Sequence, residues 1–202
     1  MISIAKEALS DKEQYKILIG SVIPRPIAFV STVSKNGVVN LAPFSFYNIV
    51  SHRPAILSVS IQQVNGQMKD TARNILEQKE AVIHSVSLDN LSMVNQAAIQ
   101  LPYEESELEA TGMTLAPSIA IKTPGVNEAK TRFETILYDH IEIKNEANEI
   151  ISDLMLLKVL HYHLDEAVYQ NTYVIPENLQ PMSRLAGITY AQLGKFTELK
   201  RP

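Results

Sequence analysis

Short apolar runs separated by turn residues dominate the chain, and this pattern favours strands over long helices. Residues 27–33, IAFVSTV, are rich in β-branched side chains and predict a strand. Asn36-Gly37 then predicts a two-residue hairpin turn, because both central positions need a positive φ. Residues 38–46 predict the returning strand, whose pairing should end or bulge at Pro43 because proline has no N–H to donate.

The same alternation continues along the chain. In residues 55–61 it places Leu57, Val59 and Ile61 on one face of a strand and serines on the other. The tail from Tyr173 is rich in proline and glycine, and it is predicted to be mostly irregular. Further strands are predicted at 81–87, 119–122, 131–144, 154–164 and 194–200, with a hairpin link at 151–153.

Helical signals are few. Residues 69–79 predict a helix with Asp70 or Thr71 as its N-cap, and Asp89 is the predicted cap of a second helix at 90–99. A short helix at 5–19 is also predicted, and 103–112 should be an acidic loop with room for one helical turn. Open parallel sheets need a helix between most strand pairs. The sequence therefore predicts a mainly β (α+β) fold, an antiparallel barrel with a few peripheral helices, as a single domain over residues 1–202.

Composition narrows the classes of function. Hydrophobic residues make up 46% of the 202 residues and the net charge is -4, as in a soluble globular protein with no basic footprint for nucleic acid. The chain has no cysteine, which excludes disulfides, thiolate catalysis and cysteine-ligated metals. No signal-peptide pattern opens the sequence, and no window has the apolar length of a membrane span. We therefore expect a cytoplasmic protein without a membrane or nucleic-acid partner.

The segment KDTARN carries the first chemical signal. A helix N-terminus presents unpaired N–H groups and a partial positive charge, which attract an anion. Lys69 and Arg73 add charge, Thr71 adds a hydroxyl, and Ser60 lies on the strand that leads into this loop. The alternative is an ordinary capped surface helix. Taken alone the segment favours that ordinary helix, because capped helix starts are common, and the serine on the preceding strand shifts the balance towards a polar site.

The segment APFSFYN carries the second signal. Pro43 is expected to release backbone from the strand ladder, and freed N–H and C=O groups must find partners. A heteroaromatic ligand with donors and acceptors at its edge could supply them, and Phe44, Phe46 and Tyr47 offer flat surfaces beside it. The alternative is a barrel rim whose aromatic side chains pack into the core.

The histidines of HYHLD form a third, weaker signal. In a strand His161 and His163 point the same way, so they could ligate a metal with Asp165, and His84 or His140 could join them. His163 could instead donate a proton near neutral pH. The sequence has no Gly-rich dinucleotide fingerprint, no P-loop and no G-x-S-x-G motif. Any nicotinamide cofactor must bind without such a fingerprint.

These segments together resemble a known family. RPIAFVSTVSKNGVVNLAPFSFYN, then PAILSVSI and KDTARNI, are similar to the flavin reductase-like family of FMN-binding split-barrel proteins, in particular its flavoredoxin branch. The likeness continues through AVIHSVSLDNLSMVNQAA, LLKVLHYHLDE and QPMSRLAGITY, and it covers nearly the whole chain from about Ile17. It implies a split β-barrel homodimer with FMN at or near the subunit interface.

The resemblance also implies roles for particular residues. Lys69, Asp70 and Thr71 would meet the FMN phosphate, and Asn40 and Ser60 are candidates for the polar edge of the flavin. Arg25 lies in a matching stretch, with a structural role as its alternative. Residues bordering the isoalloxazine ring, largely through backbone groups, would be Pro43, Phe44, Ser45, Phe46, Tyr47 and Asn48. Arg184 and Tyr190 would lie on a tail closing over the site, and departures from the family pattern stand at His84, Glu134 and Ala186.

The implied activity is that of an FMN-binding oxidoreductase. Hydride would pass from NAD(P)H to the flavin, and electrons would pass on to free flavin, a partner oxygenase, or another small-molecule or protein acceptor. His163 is the candidate assisting catalytic group. Two alternatives remain open at this point: an FMN-binding electron carrier with no NAD(P)H site of its own, and a His-x-His metal-binding β-barrel protein.

Overall fold

The computed structural model describes residues 1–200, and their secondary structure is mainly antiparallel β. The helices are α1 (Asp11–Ser21), α2 (Asp70–Gln78), α3 (Leu91–Gln96), α4 (Leu108–Thr111) and α5 (Pro176–Leu179), and a 3-10 turn covers Lys6–Ala8. The strands are β1 (Arg25–Pro26), β2 (Ala28–Val33), β3 (Val39–Phe44), β4 (Tyr47–His52), β5 (Ala55–Gln62), β6 (Glu80–His84), β7 (Leu115–Ala116), β8 (Gly125–Val126), β9 (Thr131–Lys144), β10 (Ile150–Leu164), β11 (Tyr169–Gln170), β12 (Tyr173–Val174), β13 (Met182–Arg184) and β14 (Tyr190–Gln192).

Seven strands form the main sheet in the order β3-β2-β6-β9-β10-β5-β4, and each neighbouring pair is antiparallel. The two edge strands, β3 and β4, follow each other in the chain and are joined only by Ser45 and Phe46. This short link holds the two edges together, and the Ser60 N–H donates to the Phe46 carbonyl at 2.8 Å. The sheet therefore curls into a barrel with a split beside Ser45-Phe46, which we call the corner. The predicted antiparallel barrel is confirmed.

Two apolar clusters pack against the two faces of this sheet. The barrel interior contains Val59, Ile61, Met155 and Leu157, and α2 inserts Ala72 and Ile75 into it. The second cluster packs β2 and β3 against α3 and the tail through side chains such as Phe29, Leu41, Val94 and Met182. Strand β2 is consequently buried on both faces. Within residues 1–200, no helix is both long and apolar enough to cross a membrane.

Pro43 does not interrupt the β2–β3 ladder. Pairing continues through Phe29–Pro43 and Ala28–Phe44, so the predicted end or bulge at Pro43 is wrong. Two residues earlier, the Leu41 N–H turns away from β2 and donates to Glu107 Oε2 at 2.8 Å. Because N–H directions alternate along a strand, the nitrogen of Pro43 also faces the outer edge. Its missing N–H therefore costs no ladder bond, and the chain leaves the strand at the corner instead.

The link between β9 and β10 lies earlier than predicted. Residues 151–153 belong to β10, and the turn is formed by 145–149. Asn145 accepts the N–H groups of Ala147 and Glu149 through its side-chain oxygen, and Asn148 takes a positive φ of 63°. Asparagine tolerates both arrangements, which is why this polar run turns the chain. Strand β9 itself has the predicted bounds.

Two predicted strands are absent from the described residues. The segment 194–200 has no regular structure, and 119–122 forms a bend rather than a strand. The N–H groups of Ile119 and Ala120 donate to the two oxygens of Glu134 at 2.7 and 2.6 Å. Glu80 accepts the next backbone groups, from Lys122 and Thr123. These carboxylates supply the backbone partners that a strand ladder would otherwise provide.

Both predicted helix caps differ from the observed ones. The N-cap of α2 is Lys69, not Asp70 or Thr71, and no side chain caps that end. Asn90 is the N-cap of α3, and Asp89 instead forms an ion pair with Lys130 at 2.7 Å. The uncapped start of α2 leaves its first-turn N–H groups available to a ligand.

Candidate functional site

Two adjoining chambers open beside the corner, and both are lined by Pro43, Lys69 and Ala98. The polar chamber has a volume of about 460 Å³, and the aromatic chamber has one of about 450 Å³. The polar chamber is defined by Asn40, Asp70, Thr71, Arg73, Tyr103 and Glu107. The aromatic chamber is defined by Tyr15, Arg25, Phe44, Phe46, Arg184 and Tyr190. Together they form one cleft that runs past the split of the barrel.

The start of α2 forms the floor of the polar chamber. Its uncapped first turn carries the partial positive charge of the helix, and Lys69 adds a full charge at the same end. Thr71 is buried, and its Oγ1 accepts a hydrogen bond from Asn40 Nδ2 at 2.9 Å. Because that bond uses the oxygen as an acceptor, the hydroxyl hydrogen remains available to donate to a ligand. These groups fit a phosphate.

The opposite wall of the polar chamber is held by polar contacts that are mostly half-buried. The Tyr103 hydroxyl donates to Asn74 Oδ1 at 2.9 Å, and the Arg73 guanidinium lies 4.5 Å from the centre of the Tyr103 ring. Arg73 also pairs with Asp70 at 3.2 Å. Burial raises the pKa of Glu107 even though the Leu41 N–H donates to it.

The corner provides flat and backbone surfaces between the two chambers. Phe44 is buried, Phe46 is 37% exposed, and the Lys69 ammonium lies 5.7 Å from the centre of the Phe44 ring. Strand β3 is an edge strand, so its outer backbone groups have no partner strand. An edge-on heteroaromatic ring could use such groups, and its flat faces could contact the aromatic side chains.

Arg25 ties the far wall of the aromatic chamber together. Its Nη1 donates to the carbonyls of Ile19 and Val22, both at 2.7 Å, and its Nη2 donates to the Leu185 carbonyl at 2.8 Å. These bonds fasten the C-terminal end of α1 and the tail to β1. On that tail, the Arg184 guanidinium lies 4.4 Å from the centre of the Tyr190 ring. Both parts of the wall therefore depend on one buried side chain.

The cleft brings together most of the predicted site residues. Arg25, Asn40, Pro43, Phe44, Ser45, Phe46, Lys69, Asp70 and Thr71 all line one chamber or the other. The structure places three others outside the two chambers. Tyr47 packs against the barrel core, where burial raises its pKa to about 12, Asn48 is exposed on β4, and Ser60 bonds to Ser152 at 2.7 Å. A role for these three residues in the flavin site stays a prediction, because the structure of one chain does not place them in the cleft.

Several lining residues were not identified from the sequence. Tyr15, Asn95, Tyr103 and Glu107 belong to segments that showed only helical or acidic patterns. Each reaches the cleft through tertiary packing of α1, α3, or α4 with the loop before it, on the barrel. A buried glutamate in an acidic loop gives no sequence signal, because its neighbours Glu104, Glu105 and Glu109 look the same and are exposed.

His163 lies outside both chambers, in a separate pocket with Lys130, Arg132 and Tyr162. Its Nε2 lies 2.5 Å from Glu134 Oε1, and Glu134 is fully buried. Burial acts to raise the pKa of Glu134, but the hydrogen bonds from His163, Ile119 and Ala120 outweigh it and hold the pKa below its usual range. Within one chain His163 therefore contacts Glu134, which in turn holds the segment 117–124 around the bend at 119–122; we call this segment the 117–124 bend. A catalytic role for His163 stays a prediction.

The histidines do not converge on a metal-ligand set. Across residues 1–200, no three His, Asp or Glu side chains group closely enough to hold an ion. His161 and His163 lie side by side, with ring centres 4.8 Å apart, and His140 instead contacts the buried Asp153 at 2.9 Å. The arrangement gives no support to the metal-binding alternative.

His84 is locked in its neutral form inside the protein. Its Nδ1 donates to the Phe29 carbonyl at 2.9 Å, and its Nε2 accepts the Val126 N–H at 3.0 Å. Because Nε2 is an acceptor, protonation would break that bond. Burial is the main cause that lowers the pKa of His84, with a further contribution from Arg132, from 6.5 to about 4.

We expect this histidine to make folding sensitive to mild acid. Above pH 6.5 its contribution is complete, and as the pH falls towards 4 the unfolded chain takes up a proton that the folded chain refuses. The free energy of unfolding should therefore drop by about 3 kcal/mol from this group alone. Urea unfolding of wild type and His84→Gln at pH 7 and pH 4.5 measures it. The variant should lose less stability on acidification, and an equal loss in both proteins would contradict the assignment.

Comparison with known proteins agrees with this architecture. The family model described as flavin reductase like domain matches residues 19–181. An uncharacterised protein of Bacillus subtilis is 46% identical over 198 residues, covering 97% of each chain. Nitrilotriacetate monooxygenase component B from Bacillus cereus has a TM-score of 0.96 at 41% identity, with 98% of each chain covered.

A second solved structure is similar over its whole length. The 2-nitrobenzoate 2-nitroreductase NbaA of Pseudomonas fluorescens has a TM-score of 0.89 at 26% identity, and the match covers 100% of this chain and 96% of that one. A putative flavin reductase with a split barrel domain from Shewanella frigidimarina shares this fold, with a TM-score of 0.83 at 18% identity and 100% of each chain covered. On the family match and the 46% identity, the chain belongs to the flavin reductase-like family of split-barrel proteins.

Proposed function

We propose that the protein is an FMN-binding oxidoreductase that takes hydride from NAD(P)H and passes electrons to an acceptor. The observation that carries this proposal is the pairing of an uncapped, positively charged helix start with a flat edge-strand corner in one cleft. FMN has a doubly anionic phosphate at one end and a planar heteroaromatic ring at the other. Membership of the flavin reductase-like family supports the same assignment.

The residues present fit the phosphate of FMN. Lys69, the Thr71 hydroxyl and the first-turn N–H groups of α2 would hold it in the polar chamber, with Arg73 as a second cation. Asn40 orients Thr71 for this role through the 2.9 Å bond to its Oγ1. Asp70 would be kept from opposing the anion by its pairing with Arg73.

The corner would border the ring. Bound FMN supplies a centre that accepts hydride and releases electrons singly or in pairs, so the protein need not supply a nucleophile. Phe44 and Phe46 would contact the ring and exclude water, and the outer backbone edge near Pro43 would meet its donors and acceptors. Arg25 would keep α1 and the tail in place over this region.

We infer that the active unit is a homodimer. Exposed apolar side chains lie on three strands of the barrel, including Ile49 of β4 at 72%, Tyr138 of β9 at 56% and Tyr162 of β10 at 52% exposure. A second copy would cover such a surface, and its residues could complete the cleft. In that assembly the partner could also supply groups that one chain does not bring to the site.

Relatives suggest the kinds of acceptor to test. One similar protein is a component of a monooxygenase and another is a nitroreductase, so both a partner oxygenase and a small molecule are reasonable acceptors. Anaerobic mixing of the FMN-loaded protein with NADH and with NADPH tests the reductase assignment. Bleaching of the flavin absorbance is expected with at least one of them. Failure with both, together with retained FMN binding, would leave an electron carrier instead.

The phosphate site gives a quantitative expectation. Removing one charge-assisted hydrogen bond costs about 1.5–3 kcal/mol, so Lys69→Ala or Thr71→Val should weaken FMN binding roughly ten- to a hundredfold. Flavin fluorescence quenching during titration measures the Kd. Lys35→Ala, an exposed lysine in the β2–β3 turn, is the matched control and should bind as wild type does. Unchanged affinity in both site variants would place the phosphate elsewhere.

A further inference from the structure

Two Asn-Gly pairs occur in the sequence, at Asn36-Gly37 and Asn65-Gly66, and each lies in an exposed turn. Asparagine is thermolabile in this context, because the backbone nitrogen of the next residue can attack the side-chain amide and glycine has no Cβ to hinder the approach. The two turns hold that nitrogen in different states. The structure therefore distinguishes between two pairs that have the same local sequence.

The nitrogen of Gly66 is available for this attack. Residues 64–67 form a two-residue hairpin turn, in which Val64 and Gln67 exchange N–H···O bonds of 3.0 Å and the two central residues take positive φ angles of 52° and 71°. Among residues 1–200, no acceptor binds the Gly66 N–H, and no hydrogen bond restrains the side-chain amide of Asn65. In the other turn, the Gly37 N–H donates to the Ser34 carbonyl at 2.9 Å. Attack by that nitrogen must first break this bond.

The reaction at Asn65 needs no co-reactant except water. Solvent base takes the Gly66 amide proton, the nitrogen forms a bond to Cγ of Asn65, and the bond between Cγ and the side-chain nitrogen breaks. That nitrogen takes up a proton from solvent and leaves as ammonia. Water then opens the resulting cyclic imide at one of its two carbonyls, which gives aspartate or isoaspartate at position 65. Both products carry a carboxylate that is ionised at neutral pH.

Position 65 belongs to the wall of the polar chamber. Asn65 lines this chamber together with Lys69, Asp70 and Thr71, and Lys69 follows Gly66 by only three residues. A new carboxylate at position 65 opposes the positive charge of Lys69 and of the uncapped helix start. Isoaspartate also lengthens the backbone by one carbon atom within the link between β5 and α2. Either product therefore changes the part of the chamber that suits an anion.

We propose that Asn65 is a site of spontaneous deamidation, and that its conversion weakens the binding of an anionic ligand in the polar chamber. The identification of that ligand as FMN rests on the proposed function, whereas the reactivity of the turn is a property of the chain itself. Since the lost ammonia is not restored, the fraction of molecules with a weakened anion site grows with the age of the protein.

Incubation of the purified protein at pH 8 in heavy-oxygen water, followed by chymotryptic digestion in ordinary water and mass spectrometry, tests the reactivity. Only conversion in the intact protein places solvent oxygen in the new carboxyl group, and the two pairs fall in different peptides because Phe44 and Phe46 lie between them. Asn65 is expected to convert roughly three- to tenfold faster than Asn36, and the two rates should approach each other in urea. Equal rates in the folded protein, or faster conversion of Asn36, would overturn the assignment.

Flavin titration tests the consequence for binding. Asn65→Asp should weaken FMN binding about three- to tenfold and change the Kd for riboflavin, which has no phosphate, by less than about twofold. Asn65→Gly removes the reactive amide but suits the turn, and Asn36→Asp adds the same charge outside both chambers, so both should bind FMN as wild type does. Unchanged FMN affinity in Asn65→Asp, or equal weakening for riboflavin, would overturn the effect on the chamber. If the protein binds no flavin yet Asn65 converts faster than Asn36, the proposed function fails while the modification site stands.

Discussion

Replacing Arg25 with alanine is expected to lower the free energy of unfolding by about 4 kcal/mol. The guanidinium makes three hydrogen bonds to carbonyls, of which Ile19 and Val22 belong to the end of α1. Those carbonyls carry the partial negative charge of the helix C-terminus, so Arg25 both caps the helix and neutralises its dipole. Truncation leaves three carbonyl acceptors unpaired, one of them buried and two partly buried, and opens a void against the tail.

Urea denaturation followed by circular dichroism measures this loss. Arg25→Lys keeps the charge but cannot reach the same set of carbonyls, so it should fall between wild type and alanine. Arg53→Ala removes an exposed arginine and should change stability by no more than about 0.5 kcal/mol. Limited proteolysis within α1 should accelerate in Arg25→Ala alone. A variant as stable as wild type would show that the helix end and the tail are held by other contacts.

The second large effect is expected at Glu134, where alanine should cost about 3 kcal/mol. The fully buried carboxylate accepts the N–H groups of Ile119 and Ala120 and contacts His163. Its removal leaves two backbone donors and an imidazole without their acceptor. The 119–122 part of the 117–124 bend should then detach from the sheet, because the remaining bonds, from Glu80 and from the Ser31 hydroxyl to the Pro124 carbonyl at 2.6 Å, hold only its far end.

Hydrogen exchange across residues 117–124 together with urea unfolding measures both consequences. Glu134→Gln keeps one acceptor oxygen and should lose about half as much stability as the alanine variant. Glu142→Ala, on the exposed part of the same strand, is the matched control and should leave exchange of the bend unchanged. Rapid exchange in all three variants, or in none, would contradict the anchoring role of Glu134.

The fold was predictable where the side-chain pattern reports burial directly. Leu57, Val59 and Ile61 alternate with serines and do face the barrel interior, and β9 has the bounds that its strand-like pattern predicts. Strand β4 was missed because YNIVSH is largely exposed and shows no alternation of apolar and polar positions. Residues 119–122 were misassigned because the sequence IAIK is typical of a strand. Their backbone N–H groups instead donate to the carboxylates of Glu134 and Glu80, which are distant in sequence.

The cleft was predictable only where its chemistry is local. The KDT turn and the corner each lie within one short segment, so their residue types indicated an anion and a flat ring. The opposing walls come from α1, α3, the start of α4 and the tail. The family resemblance indicated Tyr190 on the tail, whereas only tertiary packing brings Tyr15 and Glu107 to the cleft. The role of Arg25 as a helix cap likewise depends on carbonyls whose direction no sequence pattern specifies.

The corner does not tolerate a change in the length of the chain. Ser45 and Phe46 alone connect the two edge strands, and β4 continues directly into its ladder with β5. Since side chains alternate faces with a period of two, one inserted residue at this point would turn every following side chain of β4 to the opposite face or displace the ladder. Length variation among homologues should therefore accumulate in the exposed turn at 145–149, while the distance from Phe44 to Tyr47 stays fixed.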